Sequence, residues 1–256
     1  MSRRLPRIVH QIWMQGWDHL PAPFTDYAAD LRRMNPEFEF RTWDDTQLRA
    51  ECAELGPIFL ACYDRFPKMI SKVDFGRYVL LYKYGGLSLD TDMKPLRPLR
   101  EAAIDPTATL VVSEAAHSAL YANNAVMWVT PHHSLLLKLL HTIIADTRRP
   151  EDFGSILEYV METTGPMMFG RWAYKHRDHI YLAPHHMFEP CFSKDPWCRP
   201  DDRAILDHRH ENSWNTSPTQ LLELAYFAFL DHSLPALIAC AAIVTISLWS
   251  KKPARR

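Results

Sequence analysis

The sequence predicts an α/β fold, and two patterns near its start carry this prediction. Residues 7–13 and residues 38–43 have the β-branched alternation of short buried strands. Between them, residues 27–34 have a helical pattern that stops at Asn35-Pro36. A strand, a helix and a second strand in this order form a βαβ unit, which is typical of α/β proteins.

Residues 71–86 have the clearest helical pattern in the chain. Ser71 and Asp74 have the S-x-x-D spacing of a capping box, in which Ser71 begins the helix and Asp74 bonds a free backbone N–H. Apolar residues follow at helical spacing, and the pair Gly85-Gly86 is typical of a helix end. We therefore predict a helix from Ser71 to the glycine pair.

A strand is predicted directly after this helix. Residues 87–92 alternate, with leucines on one face and Ser88, Asp90 and Asp92 on the other. Two carboxylates at the end of a buried strand would then point the same way. Carboxylate oxygens suit a hard ion such as Mn²⁺ or Mg²⁺, which takes diphosphate oxygens as further ligands. A lone D-x-D is also compatible with an exposed strand edge.

Further helices and strands follow along the chain. Strands are predicted at residues 110–114, 123–129 and 179–182, and helices at 44–55, 58–66, 134–147 and 151–178, the last with a break at 164–166.

Charge, cysteine content and the first residues of the chain bear on its binding partners, its disulfides and its targeting. Lys and Arg number 29 against 30 Asp and Glu, so there is no excess of positive charge to bind nucleic acid. We therefore expect no nucleic-acid partner. Cys191 and Cys198 could pair, but their spacing alone does not decide it. Residues 1–6 are basic and lead into no apolar run, so we expect no cleavable signal peptide.

The C-terminal part of the chain has a different character. Residues 233–250 contain no charged side chain and precede a basic tail, residues 251–256. As a helix, these residues would span roughly 27 Å, close to the thickness of a thin bilayer. We predict a catalytic domain over residues 1–220 and a membrane-anchoring segment over 221–256, with a single transmembrane helix at 233–250. An apolar helix packed on the domain is the alternative, and the sidedness of the anchor stays open.

Three segments occur together in this chain: residues 8–13, the stretch Asp74-x-x-Arg77-x-x-x-Leu81-Tyr82-x-Tyr84-Gly85-Gly86, and Asp90-Thr91-Asp92. In this combination, the chain resembles the DXD sugar-binding glycosyltransferase family over residues 6–216. That family includes the initiating α-1,6-mannosyltransferases and the mannosyltransferases that act on inositol phosphoceramide.

The resemblance implies a GT-A type, Rossmann-like fold that binds a nucleotide sugar, to which the C-terminal hydrophobic helix would be added. It implies a retaining hexosyltransferase, with mannose as the preferred sugar, that depends on Mn²⁺ or Mg²⁺. The donor would be GDP-mannose or a UDP-hexose. The acceptor would be a glycan or glycolipid hydroxyl, and the expected location is a membrane of the Golgi or endoplasmic reticulum type.

The resemblance also implies roles for individual residues. Asp92 would bind the metal, and Asp90 would contact the metal shell and the ribose or transferred sugar. Asp74 and Arg77 would hold sugar hydroxyls, and Arg77 would join the two aspartates in catalysis. From the residues alone, the alternative for Asp74 is the capping-box carboxylate, and the alternative for Arg77 is a solvated helix residue.

The remaining candidates lie outside this central stretch. Trp13 would stack on the nucleobase, although an aromatic residue in an apolar strand is otherwise a core residue. Asn123 and Asn124 would lie near the donor sugar. The late segment supplies His208 and, as second choice, His210 for the metal, and Ser213 and Trp214 for the donor.

Two other functions fit the same residues. A metal-dependent phosphoesterase could use Asp90, Asp92 and the late histidines to hold two cations that activate water. Such an enzyme would release phosphate without a sugar donor. A non-catalytic nucleotide-sugar binding module would bind the donor without turnover.

Overall fold

A mixed β-sheet forms the centre of the part of the chain that the computed structural model describes, residues 4–116, 121–191 and 197–211. Its strands lie in the order β2-β1-β3-β6-β5-β7, and β4 and β8 form a separate pair. Strand β6 runs antiparallel to both of its neighbours, whereas the other pairs of the main sheet are parallel. The strands are β1 (Ile8–Ile12), β2 (Glu39–Trp43), β3 (Gly86–Leu89), β4 (Met93–Pro95), β5 (Leu110–Glu114), β6 (Ala122–Val129), β7 (Tyr181–Ala183) and β8 (Leu206–His208).

Helices and apolar clusters cover the sheet on both faces. Along β5, Leu110 and Val112 belong to one cluster and Val111 to the other, as the two-residue period of a strand requires. The first cluster contains most of the buried side chains of the central helix α4. The helices are α1 (Phe24–Met34), α2 (Asp45–Leu55), α3 (Pro57–Arg65), α4 (Met69–Tyr84), α5 (Ser134–Ala145), α6 (Ile156–Thr163), α7 (Pro166–Lys175) and α8 (His185–Phe188).

The predicted α/β fold and its opening βαβ unit are confirmed. Strands β1 and β2 pair in parallel from Ile8↔Glu39 to Ile12↔Trp43, and α1 connects them. The predicted break at residues 164–166 separates α6 from α7. Most predicted element ends differ from the observed ones by one to three residues.

The predicted capping box at Ser71 is wrong. Helix α4 begins at Met69, so Ser71 and Asp74 lie inside the helix, where both are buried. A capping box forms instead at α2, where Asp44 accepts from the Gln47 backbone N–H and the Gln47 side chain accepts from the Asp44 N–H. The helix end at the glycine pair is correct, with Gly85 as the C-cap of α4.

The predicted strand over residues 87–92 is too long. Strand β3 ends at Leu89, and the two aspartates of the motif lie on the turn between β3 and β4. Gly86 begins β3 with a φ of 93°, and a Cβ there would lie 2.6 Å from the Ile8 carbonyl oxygen. Only glycine therefore allows β1 and β3 to pair this closely.

None of the helices in the described ranges combines the length and apolar character that a membrane crossing requires. The predicted helix at 233–250 and the boundary between residues 220 and 221 lie outside the described residues, as do Ser213 and Trp214.

Candidate active site

The predicted site residues that the structure describes lie at one edge of the main sheet. The parallel strands β1 and β3 end there, just before Trp13 and Asp90, and the antiparallel β6 begins there with Asn123 and Asn124 near its start. Asp90 is fixed at this edge because its backbone N–H donates to the Ala125 carbonyl at 3.2 Å. The carboxyl ends of parallel strands are where α/β sheets generally bind ligands.

Three of the predicted metal-site residues form one cluster. The ligand atoms of Asp90, Asp92 and His208 all lie within 4.8 Å of one another. The pairing of β4 with β8 places Met93 opposite His208, so a residue far along the chain reaches the motif. His208 Nε2 lies 3.4 Å from Asp92 Oδ1, while Asp92 Oδ2 accepts the Glu211 backbone N–H at 2.9 Å.

Arg77 is buried and bridges the site, so its interpretation as a solvated helix residue is wrong. Its side chain is 4% exposed, and Nη2 donates to Asp90 Oδ1 at 2.5 Å. Nη1 donates to the carbonyl oxygen of Asn124. One guanidinium therefore joins helix α4, the DXD turn and strand β6, which fixes the position of the Asp90 carboxylate.

Asp74 lies next to Arg77, and both of its carboxylate oxygens accept hydrogen bonds from other side chains. Oδ1 accepts from Asn124 Nδ2 at 2.9 Å, and Oδ2 accepts from Thr164 Oγ1 at 3.1 Å. Burial raises the pKa of Asp74 to about 7, against the opposing effect of the nearby Arg77. The contact of Asp74 with sugar hydroxyls stays a prediction.

Glu189 is a site residue that the sequence analysis missed. It is 1% exposed and follows α8, and its Oε2 accepts from Asn123 Nδ2 at 2.9 Å. The same oxygen lies 3.8 Å from His208 Nδ1. A single carboxylate in the otherwise uncharged run from Met187 to Cys191 was the available signal.

Cys191 forms a disulfide with Cys198, which resolves the pairing that the spacing left open.

Both predicted histidines lie beside the carboxylates. The rings of His208 and His210 stack with their centroids 3.8 Å apart and an angle of 28° between the planes. A second group of possible ligands consists of Glu189, His208 and His210. His208 belongs to both groups, so it is the histidine that the geometry favours as a metal ligand.

The electrostatics of the cluster favour a positive charge. Burial alone would lower the pKa of His208, but Asp92 and Glu189 raise it well above its usual value. Burial likewise opposes ionisation of Asp92, but His208 and the Glu211 N–H hold the Asp92 pKa below its usual range. Surroundings that stabilise a proton on His208 also suit a cation bound to its ring nitrogen, so the donor set fits a divalent metal.

Trp13 follows β1 at the same edge of the sheet. Its backbone N–H donates to the Trp43 carbonyl at 2.9 Å, and its half-buried ring meets Phe24 edge-on at 5.9 Å between centroids. The structure thus places the ring in a small apolar cluster near the site. Its stacking on a nucleobase stays a prediction.

Comparisons with known proteins support the predicted resemblance. Residues 21–111 match the model of the glycosyltransferase sugar-binding region containing the DXD motif. Inositol phosphoceramide mannosyltransferase 3 of Schizosaccharomyces pombe is 27% identical over 211 residues, which cover 77% of this chain and 56% of the relative. An uncharacterized glycosyltransferase of Acanthamoeba polyphaga mimivirus is 34% identical over 90 residues, which cover 35% and 36%. The chain thus spans about half or less of the length of these relatives.

The fold also has a counterpart among solved structures. The PaToxG glycosyltransferase superposes with a TM-score of 0.52 at 17% identity, over 68% of this chain and 70% of that one. This likeness supports the expected fold for the described mixed sheet. The predicted resemblance is confirmed by the match of residues 21–111 to the glycosyltransferase sugar-binding region containing the DXD motif.

Proposed function

We propose that this chain is a metal-dependent glycosyltransferase that moves a hexose from a nucleotide sugar to a hydroxyl group. The observation that carries the proposal is the convergence of Asp90, Asp92 and His208 within 4.8 Å at the carboxyl edge of the sheet. Arg77 supports the proposal because its hydrogen bond fixes the position of the Asp90 carboxylate. A protein that used these residues only for stability would gain little from two carboxylates held this close together and partly shielded from water.

The divalent cation, Mn²⁺ or Mg²⁺, would be held by Asp92, Asp90 and His208. When bound, it neutralises the charge that develops on the departing nucleotide diphosphate. The protein holds the Asp92 carboxylate through the Glu211 N–H and the Asp90 carboxylate through Arg77, so both face the cluster in fixed positions. Such preorganisation is the main contribution that a protein makes to this kind of leaving-group stabilisation.

The donor would lie along the same edge of the sheet. Trp13 would stack on the base, and Asp74, Arg77, Asn123 and Asn124 would surround the sugar, with Ser213 and Trp214 completing the donor contacts. The buried network among Asp74, Arg77 and Asn124 supports this assignment because it orients amide and guanidinium groups at the strand ends. Mannose is the proposed sugar because a relative is named a mannosyltransferase, and GDP-mannose is the first donor to test before UDP-hexoses.

Transfer would proceed with retention, by attack of the acceptor hydroxyl on the face that the diphosphate leaves. The carboxylates of the described site are each bound to a protein partner: Asp74, Asp90, Asp92 and Glu189 accept hydrogen bonds from Thr164, Arg77, Glu211 and Asn123. None of the four is therefore placed as an unengaged nucleophile. The leaving phosphate would accept the proton of the acceptor hydroxyl.

The acceptor would be a glycan or a lipid hydroxyl. A relative is named for its action on inositol phosphoceramide, and residues 233–250 would hold the enzyme at the bilayer where such a lipid lies. We propose a single-pass C-terminal anchor in a membrane of the Golgi or endoplasmic reticulum type.

The deciding experiment incubates the full chain with a panel of nucleotide sugars and Mn²⁺, and measures slow release of the nucleoside diphosphate. Release from GDP-mannose above the other donors would support the proposal. Phosphate release from phosphate esters without any sugar donor would identify a phosphoesterase. Tight donor binding with neither hydrolysis nor transfer to any added acceptor would identify a binding module. Either of the last two results would overturn the proposed function.

A further inference from the structure

Glu189 is a buried carboxylate that faces the site. Its Oε2 lies 2.9 Å from Asn123 Nδ2 and 3.8 Å from His208 Nδ1. Its Oε1 is buried and has no hydrogen-bond partner among the described residues. Leaving such an atom unsatisfied costs about 1–3 kcal/mol, so its burial here requires a reason.

His208 has the complementary feature. Its Nε2 lies 3.4 Å from Asp92 Oδ1, on the side of the metal-site carboxylates. Its Nδ1 is buried without a hydrogen-bond partner in the described chain, and Glu189 is the carboxylate on that side. A separation of 3.8 Å exceeds hydrogen-bond length but falls within ion-pair range. The two unsatisfied groups thus belong to neighbouring side chains.

We propose that Glu189 is the positioning residue of this site, which sets the tautomer and orientation of His208 and holds Asn123 with the same carboxylate. A histidine binds a metal through a nitrogen that carries no proton, so the proton must lie on the other ring nitrogen. With the cation bound, Glu189 would accept a hydrogen bond from that Nδ1 proton by closing the 3.8 Å gap, and the Nε2 lone pair would then be directed at the Asp90 and Asp92 side. The inference rests on the proposed function, because it assigns His208 to the cation.

The hydrogen bond to Asn123 gives Glu189 a second role. Asn123 lies near the start of β6, where it would contact the donor sugar, and its Oδ1 accepts from the Ala125 backbone N–H at 3.2 Å. One carboxylate therefore links the ligand of the cation to an amide at the donor end of the strand. Loss of the carboxylate should therefore weaken both the orientation of His208 and the orientation of Asn123. Loss of a residue that only fills space would affect neither of them in particular.

The test measures binding of Mn²⁺ alone to the full chain by titration calorimetry. Removing an outer partner of a metal-binding histidine typically costs about 10–100-fold in metal affinity, and we expect this loss in Glu189→Ala. Glu189→Gln keeps one acceptor oxygen and should lose less than Glu189→Ala. Glu151→Gln is the matched control, because Glu151 is 66% exposed and should leave Mn²⁺ affinity unchanged. A folded Glu189→Ala protein that binds Mn²⁺ as the unmodified chain does would overturn the inference.

Two further measurements keep the result decisive. Nitrogen NMR of the unmodified chain with Mg²⁺, with the His208 signals identified by their loss in His208→Asn, should find the proton on Nδ1; a proton on Nε2 would overturn the inference even if Glu189→Ala failed to fold. Asp92→Asn separates the two proposals. If Asp92→Asn retains Mn²⁺ binding, the cation site and the proposed function fail together. If Asp92→Asn loses Mn²⁺ binding while Glu189→Ala keeps it, only the role of Glu189 fails.

Discussion

Arg77 Nη2 donates to Asp90 Oδ1 at 2.5 Å, and the Arg77 side chain is 4% exposed. The same guanidinium donates to the Asn124 carbonyl and lies 4.0 Å from Asp74 Oδ1. A planar group with several donors can serve three elements at once, which a lysine ammonium cannot do. The position of the DXD turn therefore depends on a residue of the preceding helix.

We expect Arg77→Ala to destabilise the fold by about 3–5 kcal/mol, because it leaves the buried Asp74 and the partly buried Asp90 without their countercharge. Arg77→Lys should keep part of the stability and lose most of the transfer. Chemical denaturation and donor turnover measure the two effects. The double variant Arg77→Ala with Asp90→Asn should recover part of the lost stability, with a coupling of about 0.5–3 kcal/mol. Strict additivity of the two changes would contradict the pairing.

Asp92→Asn should reduce transfer by several orders of magnitude and leave the fold intact. The amide keeps an oxygen that accepts the Glu211 N–H, but it removes a charged ligand from the cation. Asp90→Asn should be nearly as damaging. Turnover with added Mn²⁺ and thermal melting provide the measurements, and Asp201→Asn, at an exposed carboxylate, provides the control. Near-normal, Mn²⁺-dependent turnover in Asp92→Asn would show that the metal-site assignment is wrong.

Local patterns predicted the elements that depend on local forces. The opening βαβ unit and the helix end at Gly85 follow from periodicity and from glycine, and both are present. The S-x-x-D pattern failed because tertiary packing placed Ser71 and Asp74 inside a helix that starts two residues earlier. Side chains that the sequence marks as caps can instead serve buried networks.

Local patterns place the two aspartates of the candidate site together, whereas His208 was a candidate only through the family resemblance and Glu189 was not a candidate at all. The two aspartates are neighbours in sequence, but their contact with His208 depends on the pairing of β4 with β8, which no local pattern encodes. Glu189 was missed for the same reason, since its partners Asn123 and His208 lie 66 residues before and 19 residues after it. Long-range polar pairs of this kind carry almost no signal in a single sequence.

Trp13→Ala should raise the donor dissociation constant through lost stacking, by about 1–3 kcal/mol if the base stacks here as on other aromatic platforms. Trp13→Phe should largely restore binding, because its ring offers a similar face. Donor titration and thermal melting are measured on both variants. If both lose stability equally and donor affinity is unchanged, Trp13 is a core residue that packs on Phe24.

Residues 233–250 should hold the full chain in membranes through a carbonate wash, while a chain of residues 1–220 should be released. Two lysines in the full chain, Ala241→Lys and Ile243→Lys, provide a sharper variant, since each charge at the centre of a spanning helix costs about 2.5–3.5 kcal/mol. We expect this variant to lose membrane retention. A full chain that is soluble without detergent, beside a truncated chain that aggregates, would show that the segment is part of the core.

His10 predicts how stability changes with pH. Its ring is fully buried in β1, with Nε2 2.9 Å from the Gly85 carbonyl and Nδ1 accepting from Trp43 Nε1 at 3.1 Å. A neutral ring that donates from Nε2 and accepts at Nδ1 satisfies both contacts, whereas a protonated ring would turn a second donor against the Trp43 N–H. Burial lowers the pKa of His10 to about 4, only partly opposed by the Gly85 hydrogen bond.

Because the pKa of His10 is lower in the folded chain than in the unfolded one, its contribution to stability is present above the unfolded value, about 6.5, and is lost as the pH falls towards about 4. The difference corresponds to a loss of about 3 kcal/mol between these limits. Other groups titrate in the same range, so the comparison is with His10→Gln, whose amide can donate and accept but does not titrate. Urea denaturation of both proteins at a series of pH values should find that the unmodified chain loses about 3 kcal/mol relative to the variant between pH 7 and pH 4. Parallel stability curves would mean that His10 is protonated in the folded protein or that its ring is solvated.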